Sequence, residues 1–248
     1  METFVKHRPE APGAFAAEAA GLAWLRVPGG ARVVDVLAVA PDALTLARVV
    51  TVPPTRAAAE AFGAALAVTH TAGAPAFGSG PARYDGPSFI GPLAMSCEPE
   101  PTWGRFYAAQ RIRPYVRMAA GRLGPAGVRV MNDLGTRLDA GMFDDGAPPA
   151  RLHGDLWSGN VLFAAEGVTL IDPSAHGGHR LTDLAMLALF GAPHLARILA
   201  AYDEADTWLP DGWRDLLGLH QVYPLLVHTV LFGGSYAQAA VEAARAYV

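Results

Sequence analysis

The sequence predicts an α+β fold with two lobes of unequal size. The first 50 residues read as strand, helix, strand and strand, and most of the sequence after residue 55 has helical periodicity. Between these parts lies VTVPPT at residues 50–55, which cannot continue a helix and favours extended backbone. We therefore predict a small lobe of one sheet and one helix at residues 1–50, a hinge at residues 50–55, and a larger, mainly helical lobe at residues 51–248.

The small lobe is predicted element by element. Residues 3–6 have a strand-like pattern, and the apolar runs at residues 32–39 and 44–50 predict two further strands. Residues 14–25 predict a helix, because apolar side chains recur on one face of a 3.6-residue repeat.

The larger lobe is predicted to contain one short hairpin among its helices. Residues 161–163 and 168–171 are apolar and flank a turn at 164–167, in which Gly167 occupies the position that needs a positive φ. A loop rich in glycine and proline spans residues 72–92. Helical patterns cover residues 56–70, 101–120, 128–143, 181–190, 192–202, 211–220 and 221–247.

Composition argues against several classes of protein. The 248-residue chain carries 19 basic and 23 acidic residues without a basic run, so a nucleic-acid-binding surface is not expected. A single cysteine, Cys97, rules out an internal disulfide framework and fits a reducing compartment. No apolar stretch approaches the roughly 20 residues of a membrane span, and no signal peptide is recognised. We expect a cytoplasmic protein without nucleic-acid or membrane partners.

Two polar motifs predict a phosphotransferase site. LHGDLWSGN at residues 152–160 contains Asp155 and Asn160, and LIDPS at residues 170–174 contains Asp172. Transfer of a phosphate from Mg-ATP to a hydroxyl needs one carboxylate to orient and deprotonate the hydroxyl, and oxygen ligands for Mg²⁺. We predict that Asp155 is the base and that Asn160 and Asp172 bind the metal.

The spacing of these residues is that of a known catalytic loop. The five-residue step from Asp155 to Asn160 matches the catalytic loop of protein kinases, and the IDP at residues 171–173 stands where those enzymes carry DFG. The alternative is that both residues merely cap turns, for which Asp and Asn are common. Turn formation by Asp155 and Asn160 does not explain why a second acid, Asp172, follows a separate apolar strand.

Lys6 and Glu18 are candidates for the nucleotide side of the site. Lys6 ends the first predicted strand and Glu18 lies on the first helix, so the two side chains are predicted to form the ion pair that holds a kinase lysine against the phosphates. Taken alone, such a pair of residues is more often a pair of surface charges.

A metal-dependent hydrolase is the competing interpretation of the histidines. His153, His176 and His179, together with Asp155 and Asp172, are enough ligands for zinc. A zinc hydrolase favours closely spaced ligands such as two histidines one helical turn apart, and HGGH with its flexible glycines is a poor template.

Three residues beside the motifs have both structural and functional interpretations. Asp183 begins a helix, where an acid is favoured by the helix dipole, and we favour a structural role in which it supports the catalytic loop. His153 is assigned to the same support. Trp157, two residues after the predicted base, is predicted either to pack under the loop or to stack against a ring-shaped substrate.

Four stretches together resemble the fructosamine kinase (ketosamine 3-kinase) family. They are HGDLWSGN at residues 153–160, IDPS at 171–174 with GGHRLTDLAMLALFG at 177–191, SFIGPL at 88–93, and YPLLVHTVLFGGSY at 223–236. The resemblance runs from about Phe4 to the C-terminus. It implies kinship with aminoglycoside phosphotransferases and a bilobal protein-kinase-like fold, and the tryptophan in HGDLWSGN separates the family from plain aminoglycoside or choline kinases.

The resemblance also implies an activity. Members of the family transfer the γ-phosphate of ATP, with Mg²⁺, to the 3-hydroxyl of a sugar joined to an amine, and the phosphorylated adduct then decomposes and frees the amine, which is deglycation repair. The acceptor is a small-molecule or protein-bound ketosamine. By position, Asp155 would be the base, Asn160 and Asp172 the metal ligands, Lys6 the phosphate-contacting lysine and Glu18 its partner.

The sequence departs from the family pattern in ways that bear on activity. Relatives have two strands and a glycine-rich nucleotide loop ahead of FVK, which occurs here at residues 4–6, so we expect that hairpin to be lacking and Mg-ATP to bind weakly. Ala47 replaces a frequent acid, AMSC at residues 94–97 replaces a segment with Gln and Asn, and His176–Gly177 replaces an aromatic pair. Two alternatives stay open: a kinase for another hydroxylated amine such as an aminoglycoside or a choline-like compound, and a catalytically impaired remnant that acts as a binding protein.

Overall fold

The computed structural model of the chain describes residues 2–7 and 12–248. It has the predicted α+β composition, with small sheets and a mainly helical C-terminal part. The strands are β1 (Thr3–His7), β2 (Arg32–Val33), β3 (Val36–Val39), β4 (Ala43–Ala47), β5 (Ser88–Ile90), β6 (Leu93–Met95), β7 (Ala150–Leu152), β8 (Val161–Ala164), β9 (Gly167–Leu170) and β10 (His176–Gly178). The helices are α1 (Ala14–Leu25), α2 (Arg56–Thr71), α3 (Trp103–Phe106), α4 (Arg113–Asp139), α5 (Leu181–Phe190), α6 (Leu195–Ala205), α7 (Leu217–Phe232) and α8 (Tyr236–Arg245).

The N-terminal sheet has three antiparallel strands in the order β1-β4-β3. Lys6 of β1 lies opposite Leu44 of β4, whose side chain is buried. Within residues 2–7 and 12–248, β1 pairs with β4 alone, so its other side is an edge on which Phe4 and Val5 are exposed. An exposed apolar edge is a surface that can pair with another strand.

The prediction of one strand over residues 32–39 is wrong, because the chain changes sheets within it. β2 pairs in parallel with β9 of the C-terminal part, through Arg32–Thr169 and Val33–Leu170. After Asp35 the chain turns to β3, which pairs with β4 through an irregular register at Val36. The two halves differ in burial, since Val33 and Val34 are buried whereas Leu37 and Val39 are 40% and 47% exposed. Both halves are nevertheless apolar in sequence, so periodicity alone did not reveal the break.

Helix α1 lies where the sequence places it, and its packing fixes the position of Glu18. The helix buries Phe15, Leu22 and Leu25 in the core shared by the two parts of the chain. Gly21 allows a close approach to the segment after Asp172: a Cβ at this position would lie 3.1 Å from Ala175 Cβ. A larger residue would push the helix away from the segment that carries Asp172.

In the C-terminal part, the helices predicted at residues 101–120 and 128–143 are both present, and helical geometry is interrupted between them at Gly124. A π-helical segment (Tyr107–Ile112) joins α3 to α4, and α4 continues to Asp139 through a kink where Gly124 has φ +67° and Pro125 follows. Gly124, at φ +67° and ψ 169°, is not helical, so the helix is interrupted before Pro125. Proline has no N–H to donate to the preceding turn, which makes it suited to the start of the helical stretch that follows.

The prediction of a single helix over residues 221–247 is wrong. Helix α7 ends at Phe232, and Gly233 and Gly234 both adopt positive φ before α8 begins. Left-handed glycines end helices because they have no Cβ to clash. The hairpin predicted around Gly167 is confirmed, with β8 and β9 antiparallel and Gly167 at φ +112°.

Two clusters of buried apolar side chains form the interior. One joins α1, the N-terminal sheet, α2, α6 and the β8–β9 hairpin, and the other lies among α3, α4, α7 and α8. Over the part of the chain that the structure describes, no helix is both long and apolar enough to cross a membrane.

Candidate active site

Two antiparallel strand pairs bring the motif residues together. Asp155 follows β7 and Asn160 immediately precedes β8, whereas Asp172 lies between β9 and β10. Because β8 pairs with β9 and β7 pairs with β10, the loop that carries Asp155 lies beside the loop that carries Asp172. The amide nitrogen of Asn160 donates to the Asp155 carbonyl oxygen at 2.8 Å and to Asp155 Oδ2 at 3.2 Å, and it lies 3.4 Å from the Asp172 carbonyl oxygen.

The backbone of these loops is specialised. Gly154 has φ +81°, and a Cβ there would lie 2.2 Å from the Ser174 carbonyl oxygen, so only glycine fits. Asp172 has φ +55°, a left-handed conformation that costs a non-glycine residue energy and that is concentrated at functional sites. The strain is overcome by hydrogen bonds on both sides, from Ile171 N to Asn160 O (3.2 Å) and from Ser174 N to His153 O (2.9 Å).

Lys6 joins the N-terminal sheet to the motif. Its ammonium lies 2.8 and 2.7 Å from the two carboxylate oxygens of Glu18 and 2.8 Å from Asp172 Oδ1. The predicted ion pair with Glu18 is therefore present, and the contact with Asp172 was not predicted. Lys6 and Glu18 are largely buried, where water screens their charges less than at the surface.

The three motif residues line a cavity of about 220 Å³ with Glu18. Trp157 forms one wall and is 42% exposed, and Phe89 and Gly91, from the β5–β6 hairpin, form another. The Trp157 indole lies so close to Gly159 that a Cβ there would be 2.2 Å from the ring. The ring thus packs on the loop while the side chain still borders the cavity, and stacking against a substrate stays a prediction.

A larger cleft of about 700 Å³ lies on the other side of Asp172. Lys6, Arg48 and Asp172 are charged residues of its lining, and its walls are otherwise mainly apolar. The walls are formed by β1 and β4 with Val34, Val49, Leu162 and Ile171. Because Asp172 borders both spaces, the cleft and the 220 Å³ cavity meet at this carboxylate.

Asp183 is buried beneath the loop that carries Asp155 and accepts hydrogen bonds from the start of that loop. The backbone N–H groups of His153 and Gly154 donate to its two oxygens at 2.8 and 2.9 Å, and His70 Nε2 lies 3.1 Å from Oδ2. Burial alone would raise the pKa of Asp183, but the hydrogen bond and charge of His70 and the hydrogen bond from Gly154 hold that pKa below its usual value. The two backbone hydrogen bonds tie the start of the loop to Asp183, which is how a supporting side chain would hold it.

His153 connects the loop to the strand before Asp172. Its Nε2 donates to the Ile171 carbonyl oxygen at 2.9 Å, and its Nδ1 accepts the Asp155 backbone N–H at 3.3 Å. Burial lowers the pKa of His153, which favours the neutral ring that this donor and acceptor pattern needs.

Sequence reasoning missed His70. It lies at the end of α2, fully buried, with Nδ1 2.7 Å from the Tyr202 hydroxyl and Nε2 facing Asp183. A histidine at an apolar position of a predicted helix was the available signal, but its partners are more than 100 residues away, and no local pattern identifies them.

The histidines of the zinc alternative each serve another contact. His153 binds Ile171 O, His176 Nδ1 donates to the Ser174 carbonyl oxygen at 2.9 Å, and His179 Nε2 lies 3.1 Å from Asp145 Oδ2. Across the described ranges, His, Cys, Asp and Glu side chains form no group of three or more arranged to hold a metal ion.

Comparison with known sequences gives consistent results. The sequence model of the fructosamine kinase family matches residues 1–248. A probable ketoamine kinase of Thermus thermophilus is 34% identical over 233 residues, which cover 91% of this chain and 79% of that protein. Mouse ketosamine-3-kinase is 33% identical over 135 residues, 54% of this chain and 43% of the mouse protein.

Solved structures agree with the sequence matches. A crystal structure described as "putative fructosamine-3-kinase" from Thermobifida fusca is 48% identical, with a TM-score of 0.90 over 98% of this chain and 84% of that one. The choline kinase LicA of Streptococcus pneumoniae, 15% identical, has a TM-score of 0.63 over 99% of this chain and 86% of its own. The second likeness shows the fold alone, which is the predicted protein-kinase-like fold.

Proposed function

The chain belongs to the fructosamine kinase family, a family of phosphotransferases, and we propose that it transfers the γ-phosphate of ATP to a sugar hydroxyl of a ketosamine. The observation that carries this proposal is the convergence of Asp155, Asn160 and Asp172 on one cavity, with Lys6 bonded to Asp172 at its border with the larger cleft. A base, two metal ligands and a phosphate-contacting lysine are the parts of a kinase site that these residues would supply.

Asp155 is the proposed base. Its carboxylate borders the cavity, and a hydrogen bond from Asn160 to Oδ2 orients it. An acceptor hydroxyl in the 220 Å³ cavity can donate to this carboxylate, which aligns the oxygen for attack and takes its proton. Trp157 is the proposed wall for the sugar ring, because an exposed indole offers a flat apolar face.

Asn160 and Asp172 are the proposed ligands of Mg²⁺. The amide nitrogen of Asn160 is directed to Asp155, so its oxygen is the atom available to a cation, and Asp172 supplies a carboxylate. One or two protein oxygens are the donor set that Mg²⁺ uses when phosphate and water complete its shell, so these residues fit the ion. Bound Mg²⁺ would neutralise charge on the phosphate oxygens. Lys6 adds a second positive charge, held in place by Glu18.

The apolar cleft is the proposed adenine site. Its volume of about 700 Å³ is within the range of small-molecule pockets, and its apolar walls suit a flat base. Asp172 lines both the cleft and the acceptor cavity, and Lys6 contacts Asp172, so a nucleotide with its phosphates at these two residues would present them to Asp155.

Metal and nucleotide binding can be tested by thermal unfolding. A ligand that binds only the folded chain increases the free energy of unfolding, by about 2.7 kcal/mol at a ligand concentration of 100 times Kd, and thereby raises Tm. Mg-ATP should raise the Tm of the parent, EDTA should abolish most of the rise, and Asp172→Asn should remove it. An equal rise in Asp172→Asn would contradict the assignment of Asp172.

The acceptor is tested with a panel of compounds. Purified chain is incubated with Mg-ATP and a fructose–amine adduct, an aminoglycoside or choline, and ADP release is measured beside ³¹P spectra of the product. We expect ADP release with the ketosamine, a new phosphate ester on its sugar, and later release of the free amine, which is the deglycation step. Turnover of choline or the aminoglycoside alone would assign the chain to another hydroxylated amine. Failure of all three acceptors, with Mg-ATP bound, would contradict the proposed reaction.

A further inference from the structure

The β5–β6 hairpin borders the proposed acceptor site in two places. Phe89 and Gly91 line the 220 Å³ cavity, and Ile90 lines a space of about 20 Å³ beside Asp155. Over the described residues, the two strands of this hairpin pair only with each other. A two-stranded hairpin is marginally stable by itself in water, so contacts outside the sheet must fix its position.

Two adjacent side chains hold the segment that follows the hairpin. The Gln110 side-chain amide donates to the Glu98 carbonyl oxygen at 2.7 Å and accepts the Glu98 backbone N–H at 3.0 Å. Arg111 Nη1 donates to the Ser96 carbonyl oxygen at 2.8 Å. We refer to the Gln110 and Arg111 side chains as the clamp. Because β6 ends at Met95, the clamp fixes the chain directly after the hairpin.

The clamp lies in the π-helical segment Tyr107–Ile112. Such segments are rare, and they occur frequently at functional sites. Gln110 is 6% exposed and Arg111 is 1% exposed. The π-helical segment is thus the place where two buried polar side chains reach the same stretch of backbone.

The burial of Arg111 is unfavourable for stability. Its Nε and Nη2 groups have no hydrogen-bond partner among the described residues, and Nη1 donates only to carbonyl oxygens, those of Ser96 and Gln110. The guanidinium lies against the rings of Phe106 and Tyr223, with Cζ 4.6 and 5.4 Å from the ring centroids. Burying a charge that lacks a carboxylate partner costs free energy, which argues for a role other than stabilising the core.

Tyr223 connects Arg111 to the space that the hairpin borders. Its ring contacts the Arg111 guanidinium, and it lines the 20 Å³ space together with Ile90 and Asp155. Its hydroxyl donates to Sδ of Met95, the last residue of β6, at 3.5 Å. Tyr223 therefore joins the clamp, the end of the hairpin and the space beside the proposed base.

We propose that the clamp positions the β5–β6 hairpin at the acceptor cavity, which makes Gln110 and Arg111 positioning residues for acceptor binding. This inference rests on the proposed function. Neither side chain lines the cavity, so both act through the hairpin: by holding residues 96–98, they keep the wall formed by Phe89 and Gly91 in place. No residue of the hairpin lines the 700 Å³ cleft, so the clamp should affect the acceptor and not ATP.

Gln110→Glu tests the clamp with an isosteric change. The carboxylate cannot donate to the Glu98 carbonyl oxygen, so one buried hydrogen bond is lost. KM for 1-amino-1-deoxyfructose should rise about three- to tenfold, as the loss of one buried hydrogen bond predicts, while kcat and KM for ATP should change less than about twofold. The matched control is Gln221→Glu, which removes a hydrogen bond to the Ala185 carbonyl oxygen outside the clamp and the hairpin. It should lower Tm and leave KM for the acceptor unchanged.

A second pair of variants tests Arg111. Arg111→Met fills the space between the two rings but cannot donate to the Ser96 carbonyl oxygen, whereas Arg111→Lys keeps a donor. KM for the acceptor should rise in Arg111→Met and return toward the parent value in Arg111→Lys. Hydrogen exchange of the amides at residues 88–98 should be faster in Gln110→Glu and Arg111→Met than in the parent, because the hairpin has lost part of its anchor.

The outcomes separate this inference from the proposed function. Phosphorylation by Gln110→Glu with the parent KM for the acceptor, or with exchange at residues 88–98 as slow as in the parent, would overturn the clamp and leave the reaction standing. Calorimetric binding of the acceptor that weakens in Gln110→Glu, without phosphorylation by any variant, would support the clamp and contradict the reaction. A parent that neither binds nor phosphorylates the acceptor would contradict both.

Discussion

Asp155 and its neighbours show how few side chains carry the proposed chemistry. The Asp155 carboxylate is positioned by Asn160, and its backbone N–H is held by His153. Asp155→Asn keeps the shape of the side chain but cannot take a proton, so kcat should fall on the order of 10²- to 10⁴-fold. The measurement is ADP release with a ketosamine. Asp211→Asn, an exposed substitution, is the control, and activity within threefold of the parent in Asp155→Asn would contradict its role as the base.

Trp157 gives a second prediction at this scale. If its exposed face contacts the sugar, Trp157→Ala should raise KM for the acceptor several-fold more than KM for ATP, because uniform binding energy appears in KM. Trp157→Phe keeps an aromatic ring, so it should retain most of the acceptor binding that Trp157 provides. Trp208→Ala, at an exposed tryptophan elsewhere, is the control. A sharp fall in Tm with equal changes in both KM values would favour a purely structural ring.

At the scale of elements, glycines decide how closely helices pack. Gly63 of α2 faces α6, and a Cβ there would lie 2.2 Å from the Ile198 carbonyl oxygen, which is backbone and cannot move aside. Gly63→Ala should therefore cost about 1–3 kcal/mol by overpacking. Gly121 of α4 is exposed, and a Cβ there would meet nothing within 4 Å, so Gly121→Ala should stabilise by about 1 kcal/mol.

The two alanine variants are compared by urea unfolding. Destabilisation by Gly63→Ala together with stabilisation by Gly121→Ala would confirm that the close packing of α2 on α6, and not the loss of a glycine as such, determines the change in the free energy of unfolding. A stabilising Gly63→Ala would show that the helices separate without cost.

At the scale of the whole molecule, buried histidines make stability depend on pH. Burial, with the nearby Arg111 charge, lowers the pKa of His176 to about 3, and burial also lowers the pKa values of His153 and His220. Below about pH 6.5 the unfolded chain binds protons that the folded chain does not, so stability is full above this pH and falls as pH decreases toward 3. His176 contributes about 1.4 kcal/mol per pH unit within that window.

His176→Asn tests this dependence. Asparagine can retain the hydrogen bond to the Ser174 carbonyl oxygen without titrating, so the slope of unfolding free energy between pH 6 and 4 should become shallower by about 1.4 kcal/mol per unit. Urea unfolding across that range measures the slope. An unchanged slope would mean that His176 titrates alike in the folded and unfolded chain.

The sequence by itself determined the local elements and the chemistry of the motif. Helix α1, helix α5 and the hairpin at Gly167 were predicted because periodicity and a glycine in a tight turn are local signals. The spacing of Asp155 and Asn160 was informative for the same reason, since both lie in one short loop. The ion pair of Lys6 with Glu18 was predicted from the resemblance to a known catalytic layout, not from the two residues themselves.

The tertiary structure alone decided which distant residues meet. Residues far apart in the chain are joined by the parallel pairing of β2 with β9, the contact of Lys6 with Asp172 and the approach of His70 to Asp183. His228 likewise lines the same small space as Asp155. No local pattern encodes such contacts, because they depend on how whole faces of helices and sheets pack. The residues of the motif could therefore be predicted from the sequence, whereas their contacts with distant residues could be identified only in the folded structure.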